Sequence, residues 1–192
     1  MQLLSEPRVH DWSRGEYYRM AKAGLFEGKH VELIEGQVIE MSPMGSLHAT
    51  AVALAGRALE NAFGPTFFAR WQMPLDAGEL SEPEPDVAII QGDVRDFKDS
   101  HPGMAVLVVE VAETSLTYDR TIKASLYAKI GVPDYWILNL VERRIEVHRN
   151  SVAKTSSPFG FGYAAVEVFA DGDFISPLIC PEVRLAVADF LP

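Results

Sequence analysis

Two short apolar runs near the middle of the chain each carry one carboxylate that could take part in chemistry. Asp86 opens the run 86–90, and Glu110 lies inside the run 107–111. The second run is continuous and rich in β-branched residues, which is typical of a strand buried on both faces. A glutamate in such a strand loses hydration and requires a cation, a metal or a hydrogen-bonding partner. Glu110 is therefore either a functional group or an acid that is solvated at a frayed strand end or paired with an arginine.

A third acid and a lysine could complete a phosphate-cleaving site. If Glu32, Asp86 and Glu110 converge, their charges repel one another unless a divalent cation joins them, and ligation by oxygen alone suits Mg²⁺ or Mn²⁺ rather than zinc. Lys123 could then orient a water molecule or stabilise the charge that develops on a phosphate. Tyr127, four residues later on the same predicted helix, could donate a hydrogen bond to phosphate or to a carboxylate.

Each of these residues also has an ordinary structural explanation. Glu32 could be an exposed strand residue, and Asp86 could bond a local amide at the start of its strand. Lys123 could be a surface lysine whose aliphatic stem covers apolar surface, which is the interpretation that its position alone favours. His48, in the first turn of a predicted helix, is by the same standard a solvated histidine. Spacing alone leaves these alternatives open.

The periodicity of the chain predicts an α/β fold that could position these groups. An amphipathic helix over 11–25 is followed by a hairpin over 31–41 that turns at Glu35 and Gly36. A helix over 118–130 ends at Gly131, and small residues along the helix 47–63 allow close packing on a sheet. The remaining apolar segments predict strands over 66–75, 86–90, 104–112, 134–140, 145–149 (as an edge strand) and 162–169.

Length and composition place the chain among ordinary globular proteins. We expect its 192 residues to form a single domain, 1–192, with 48% hydrophobic and 23% charged residues. Cys180 is the one cysteine, so we predict no internal disulfide and a reducing compartment. The first residues lack a long apolar segment and no run reaches membrane-spanning length, so we predict no signal peptide, no membrane association and a cytoplasmic location.

Charge and motifs exclude several function classes. A net charge of −10 argues against a protein that coats DNA, because nucleic-acid binding depends largely on neutralising phosphates. It argues less against a metal-dependent enzyme, whose carboxylates are partly offset by the ion. The sequence contains no phosphate-binding glycine loop in a strand-to-helix context and no Gly-x-Ser-x-Gly elbow, and its five histidines show no paired ligand spacing.

Several of these segments together resemble the Uma2-type (DUF820) family. The run 31–43 (VELIEGQVIEMSP), followed by His48, looks like the opening of that family, and 85–87 and 107–111 match its central strands. The segment 118–136 (YDRTIKASLYAKIGVPDYW) is similar to its most recognisable motif. The resemblance covers roughly residues 12–150.

The resemblance implies both a fold and a set of site residues. The family belongs to the PD-(D/E)xK nuclease superfamily, which implies a restriction-endonuclease-like α/β core, a mixed central sheet flanked by helices, here with an added N-terminal helix and β-hairpin. Asp86 and Glu110 are then the metal ligands for Mg²⁺ or Mn²⁺. Lys123 is the catalytic lysine moved onto the following helix, and Glu32 is an additional acid. His48 and Tyr127 would line the site.

The resemblance also implies a function, a magnesium-dependent endonuclease that hydrolyses phosphodiester bonds in DNA, acting as a homodimer. Two departures favour alternatives. Ala112 stands where the simple superfamily motif has its lysine, and Glu113 adds negative charge where the family usually has a Ser-Pro-Ser-like turn. The chain could instead be a non-cleaving interaction module that retains the nuclease fold, or a metal-dependent hydrolase of another phosphorylated substrate.

Overall fold

The structure, a computed structural model, describes residues 8–192, which divide into two units. Among these residues, the smaller unit comprises 8–43 with Ala77–Pro83, and the larger comprises Met44–Asp76 with Glu84–Pro192. The absence of a signal peptide was predicted in part from residues 1–7, which lie outside the described residues. The single domain expected over 1–192 stays a prediction.

The smaller unit contains the predicted N-terminal helix, shorter than expected. Helix α1 (Arg14–Lys22) begins at Ser13, whose hydroxyl accepts a hydrogen bond from the Glu16 amide while the Glu16 carboxylate accepts one from the Ser13 amide. This reciprocal capping satisfies two amides that the first turn leaves without helical partners, and it fixes the start of the helix. Tyr17 is buried and its hydroxyl donates to the Val31 carbonyl oxygen at 2.9 Å.

The predicted hairpin is confirmed. Strands β1 (Val31–Ile34) and β2 (Gln37–Glu40) pair antiparallel, with Ile34 opposite Gln37. The two turn residues, Glu35 and Gly36, have φ of 47° and 78°. Such a turn requires positive φ at both central positions, which glycine adopts without cost and which matches the twist of the paired strands.

The larger unit is built on a six-stranded mixed sheet. Its strands are β3 (Phe67–Trp71), β4 (Val87–Gln91), β5 (Leu107–Ala112), β6 (Asp134–Asn139), β7 (Arg144–Ala153) and β8 (Phe161–Ala170). They lie side by side in chain order, and every neighbouring pair is antiparallel except β5 with β6, which is parallel. A helical crossover joins the parallel pair, as such a connection requires. Two short strands, β9 (Phe174–Ile175) and β10 (Leu185–Ala186), form a separate pair.

Helices cover both faces of this sheet. Helix α2 (Ser46–Phe63) places a stripe of small and apolar residues against one face, and the buried residues there include Ala55 and Val109. The other face packs against the crossover, and its core includes Ala88 and Tyr127. The predicted mixed sheet flanked by helices is therefore confirmed, with the N-terminal helix and hairpin as additions.

The crossover differs from the regular helix predicted over 118–130. It consists of α3 (Leu116–Tyr118), a π-helical segment (Asp119–Lys123) and α4 (Ala124–Lys129). A π turn holds one more residue than an α turn, so it changes which side chains face the sheet.

One strand prediction was wrong. Strand β7 was expected at an edge because apolar and polar residues alternate along it, but it lies between β6 and β8. Its polar residues Glu146 and His148 are buried instead of solvated. Glu146 accepts two hydrogen bonds from the Arg120 guanidinium, and the His148 ring packs against the rings of Tyr135 and Tyr163, so an arginine and two aromatic rings take the place of water.

No helix within residues 8–192 combines the length and apolar character that crossing a membrane requires.

Candidate active site

The candidate site lies where β4 and β5 stop pairing through their backbones. The last backbone pair on this side joins Val87 to Val109. Beyond it, the Asp86 amide donates to Glu110 Oε2 at 3.1 Å, and the Val111 amide donates to Asp86 Oδ2 at 2.8 Å. Each carboxylate thus accepts a hydrogen bond from the opposite segment. Because buried amides must be paired, these bonds fix both carboxylates in place.

Glu110 is held from the crossover as well as from the sheet. It is 5% exposed and belongs to a strand that is buried throughout. The Tyr127 hydroxyl donates to Glu110 Oε1 at 2.6 Å, and Lys123 Nζ lies 3.2 Å from the same oxygen. The interpretation of Glu110 as a solvated acid at a frayed strand end is therefore excluded.

Lys123 is 1% exposed, so the surface interpretation that its position favoured is wrong. It ends the π-helical segment, and its Nζ lies 5.9 Å from the centre of the Tyr127 ring. The extra residue of the π turn brings Lys123 and Tyr127 onto the side that faces Glu110. π turns inside α-helices occur frequently at functional sites.

Asp86 has a second set of partners on its other oxygen. His48 Nε2 lies 3.1 Å from Asp86 Oδ1, and Gln72 Nε2 donates to the same oxygen at 3.2 Å. Sequence reasoning missed Gln72. Gln72 follows β3 with a φ of 50°, and its backbone amide donates to the backbone oxygens of Pro85 and Asp86. A glutamine with positive φ carries no sequence signal, so only the fold reveals this contact.

His48 is half-enclosed and responds to the negative charges around it. Burial by itself would lower its pKa, but the hydrogen bond to Asp86 and the charges of Asp86, Glu113 and Asp119 raise the pKa above its ordinary value. The solvated histidine expected from the helix position is thus a partner of the predicted ligand Asp86. Glu113, exposed to solvent, lies near the start of α2, where a β carbon added to Gly45 would sit 3.7 Å from its Oε2.

Asp119 is a further buried carboxylate that sequence reasoning did not single out. It is the first residue of the π-helical segment and is 4% exposed. Ser115 Oγ donates to Asp119 Oδ2 at 2.5 Å, and the Tyr135 hydroxyl donates to the Asp119 carbonyl oxygen at 3.1 Å. These bonds anchor the start of the segment that carries Lys123.

The structure therefore brings together five of the six predicted site residues within the larger unit, namely His48, Asp86, Glu110, Lys123 and Tyr127. Glu32 belongs to the smaller unit. It lies in β1 opposite Ile39 and is 1% exposed, so the exposed-strand alternative for Glu32 is wrong.

The donor set of the site fits a hard divalent cation. Within residues 8–192 no group of three His, Cys, Asp or Glu side chains is arranged to hold a metal. Mg²⁺ commonly takes only one or two carboxylates and keeps several waters, so the carboxylates of Asp86 and Glu110 are enough protein ligands for this ion. Asp86 Oδ1 already accepts from two donors, whereas Oδ2 accepts one, which leaves a lone pair on Oδ2.

Comparison with known proteins agrees with the fold and the motifs. The model of the Uma2 family, described as "Putative restriction endonuclease", matches residues 14–188, and the chain belongs to this family. A solved structure, titled as a "putative nuclease belonging to DUF820" from Anabaena variabilis ATCC 29413, shares the fold with a TM-score of 0.62 at 16% identity. The match covers 84% of this chain and 89% of that one. A search of curated proteins gave no match. The predicted family and restriction-endonuclease-like fold are confirmed.

Proposed function

We propose that this chain is a divalent-metal-dependent endonuclease that hydrolyses phosphodiester bonds in DNA. The observation that carries the proposal is the buried contact of Lys123 with Glu110, beside an Asp86 whose amide bonds the same glutamate. Two carboxylates suit a hard divalent cation, and a lysine stabilises charge that develops on a phosphate, so these groups support metal-assisted hydrolysis of a phosphodiester. The description of the family as a restriction endonuclease supports a nuclease-like hydrolase, and the metal and the DNA substrate are the further steps that we propose.

Asp86 and Glu110 would hold the cation, for which we propose Mg²⁺ or Mn²⁺. When bound, such an ion supplies Lewis-acid polarisation of a phosphoryl oxygen and neutralises charge at the reacting group. The protein fixes the two carboxylates beforehand, through the Val111 amide on Asp86 and the Tyr127 hydroxyl on Glu110. Partners of this kind orient metal ligands and tune their affinity.

The remaining side chains act on charge and orientation. Lys123 carries its ammonium group into a nearly water-free environment, where it stabilises negative charge that develops on the phosphate more strongly than it would in water. Tyr127 is a positioning residue, because its hydroxyl bonds the ligand Glu110. Gln72 and His48 orient Asp86 from the other side, and His48 adds positive charge there as the pH falls.

Three further expectations remain predictions: Glu32 as an additional acid, a homodimer and a cytoplasmic location. A homodimer is proposed because two sites related by two-fold symmetry could address the two strands of a duplex, which is an analogy with other nucleases of this kind. DNA as the substrate requires local positive charge or a bound cation to overcome a net charge of −10.

Glu113 favours a second candidate function, a non-cleaving module that retains the nuclease fold. It is exposed and contributes to the electrostatic environment of His48, so it places negative charge close to the predicted ligand Asp86. A substrate phosphate would be repelled by that charge. A module of this kind would bind neither Mg²⁺ nor Mn²⁺ measurably.

Plasmid nicking tests the proposal. Supercoiled DNA is incubated with purified protein over a range of Mg²⁺ concentrations, and wild type is compared with Asp86→Asn, Glu110→Gln and Lys123→Ala. Asp93→Asn, which changes an exposed acid in the same unit, serves as the matched control. We expect metal-dependent nicking by wild type and the control only. Equal nicking by all proteins would reveal a contaminant and contradict the proposal. Generic phosphodiesters assayed in parallel would identify a hydrolase of other substrates.

A further inference from the structure

Arg70 lies on the sheet face that carries the candidate site. It pairs with Ala88 across β3 and β4, two residues along β4 from Asp86. Ala88 belongs to the same buried cluster as Tyr127, on the crossover side of the sheet. Two residues of a strand span about 6.6 Å, which is of the order of the distance between neighbouring phosphates in one nucleic-acid strand.

The Arg70 guanidinium is enclosed but incompletely bonded. The residue is 8% exposed. Its Nη2 donates to the Pro74 carbonyl oxygen at 3.3 Å and contacts His101 Nδ1 at 3.2 Å. Its Nε is buried without a hydrogen-bond partner among residues 8–192. Nη1 makes no hydrogen bond to these residues either and is not fully enclosed, so an ion could reach the guanidinium there.

No carboxylate of the described chain pairs with Arg70. Arg149, by contrast, donates two hydrogen bonds to Asp134, at 2.8 and 3.0 Å. A guanidinium remains charged in proteins, and an enclosed charge without a counter-ion is costly. Burial accordingly lowers the pKa of Arg70 below its ordinary value.

We propose that Arg70 is a subsite for an oxyanion, and that its ligand is the phosphate next to the phosphodiester that is cleaved. His101 and Pro74 fix the guanidinium through Nη2, and the phosphate supplies the missing negative charge. This inference rests on the proposed nuclease function for the identity of the ligand. The shared chemistry is a phosphate group, which could also come from free inorganic phosphate, and the two sources are separated below.

Thermal unfolding with inorganic phosphate tests the subsite without any need for cleavage. Wild type and Arg70→Met are compared at constant ionic strength, with chloride replaced by phosphate. Arg95→Met, which removes an exposed arginine of the same unit, is the matched control. We expect phosphate to raise the unfolding temperature of wild type and the control, and to leave Arg70→Met unchanged. Because methionine removes an uncompensated buried charge, Arg70→Met should fold, and its unfolding temperature in chloride should not fall below that of wild type. The subsite is disproved if phosphate stabilises all three proteins equally or none of them.

Binding of a labelled oligonucleotide in EDTA identifies the source of the phosphate. The slope of log K against log salt concentration should be smaller in magnitude by about 1 for Arg70→Met than for wild type, and it should not change for Arg95→Met. A neutral methylphosphonate is placed at each linkage of the oligonucleotide in turn. At one position it should weaken DNA binding by wild type, whereas binding by Arg70→Met should not change there. Equal salt slopes and equal methylphosphonate profiles would overturn the nucleic-acid assignment and leave free phosphate as the ligand. If wild type binds phosphate at Arg70 but does not nick plasmid DNA, that result would count against the nuclease proposal and not against this subsite.

Discussion

Lys123 and Glu110 form an ion pair that is almost completely closed to solvent: Nζ lies 3.2 Å from Oε1, and the two side chains are 2% and 6% exposed. Enclosed charges lose hydration, so a close partner of opposite charge stabilises each of them. The pair joins the crossover to the central strand β5, and it places the lysine next to Glu110, just beyond the last backbone pair of β4 with β5. The ion pair therefore contributes both to the stability of the fold and to the electrostatics of the candidate site.

Removal of the lysine alone should be strongly destabilising. Lys123→Met removes the cation that lies 3.2 Å from Glu110 Oε1, and we expect a loss of about 3–5 kcal/mol in the free energy of unfolding measured with urea. The double variant Lys123→Met with Glu110→Gln should regain part of this loss, because the carboxylate charge beside the missing cation is removed as well. Lys98→Met, at a lysine that is 77% exposed, should change stability by less than about 0.5 kcal/mol. An unchanged stability in the single variant would show that the pair is unimportant.

The Tyr127 hydroxyl should matter for metal binding more than for stability. Tyr127→Phe removes the donor to Glu110 Oε1, so we expect Mn²⁺ affinity measured by calorimetry to fall by about 10–100-fold. Tyr163→Phe is the matched control, because its buried hydroxyl donates to the Val132 carbonyl oxygen at 2.9 Å. Both variants should lose about 1 kcal/mol of stability. Equal Mn²⁺ affinities in the two variants would argue against a positioning role for Tyr127.

Gln72 offers a separation of backbone conformation from side-chain contact. Gln72→Gly suits the positive φ of 50° but removes the amide that bonds Asp86 Oδ1, so its stability should hold while plasmid nicking falls by about 10–100-fold. Gln72→Val removes the same contact and adds a β-branched side chain to a left-handed backbone, which should cost about 1–2 kcal/mol. Wild-type nicking by the glycine variant would show that the amide does not orient Asp86.

His148 should make the stability of the chain depend on pH. Burial lowers its pKa to about 4, against an ordinary value of 6.5. The unfolded chain binds a proton as the pH falls below about 6.5, whereas the folded chain resists protonation until about pH 4. The contribution of His148 to the free energy of unfolding is thus fully present above pH 6.5 and is lost as the pH falls from 6.5 to about 4. The full loss amounts to about 3 kcal/mol.

Urea unfolding at pH 7.5, 6 and 5 checks this dependence. His148→Gln should flatten the profile, because the buried ring that resists protonation is gone. His10→Gln, at a side chain that is 60% exposed, should reproduce the wild-type profile. Parallel profiles for wild type and His148→Gln would assign the pH dependence to other groups.

Local sequence signals were sufficient for much of the fold. Turn chemistry at Glu35 and Gly36 located the hairpin, and the continuous β-branched run around Glu110 identified the central strand. The small residues of α2 indicated packing on a sheet, which the structure confirms. These features depend on residues that are close together in the chain, so they can be predicted from the sequence alone.

The features that were missed depend on contacts distant in sequence. A helical period of 3.6 placed Lys123 at the edge of the buried face, but the π-helical segment turns it inward. Gln72 acquires its contact with Asp86 only through an unusual φ. The alternation along β7 indicated an edge strand because Glu146 was assumed to face water, whereas Arg120 pairs with it. The family resemblance, not the spacing, identified Lys123.

A crystal soaked in Mn²⁺ and measured at a wavelength where manganese scatters anomalously tests the proposed site most directly. We predict an anomalous peak that contacts both Asp86 and Glu110, with Lys123 beside it, and the loss of that peak in Asp86→Asn crystals. Crystals of wild type without anomalous density at these two carboxylates, at Mn²⁺ concentrations that support nicking, would contradict the assignment of this cluster as the metal-binding active site.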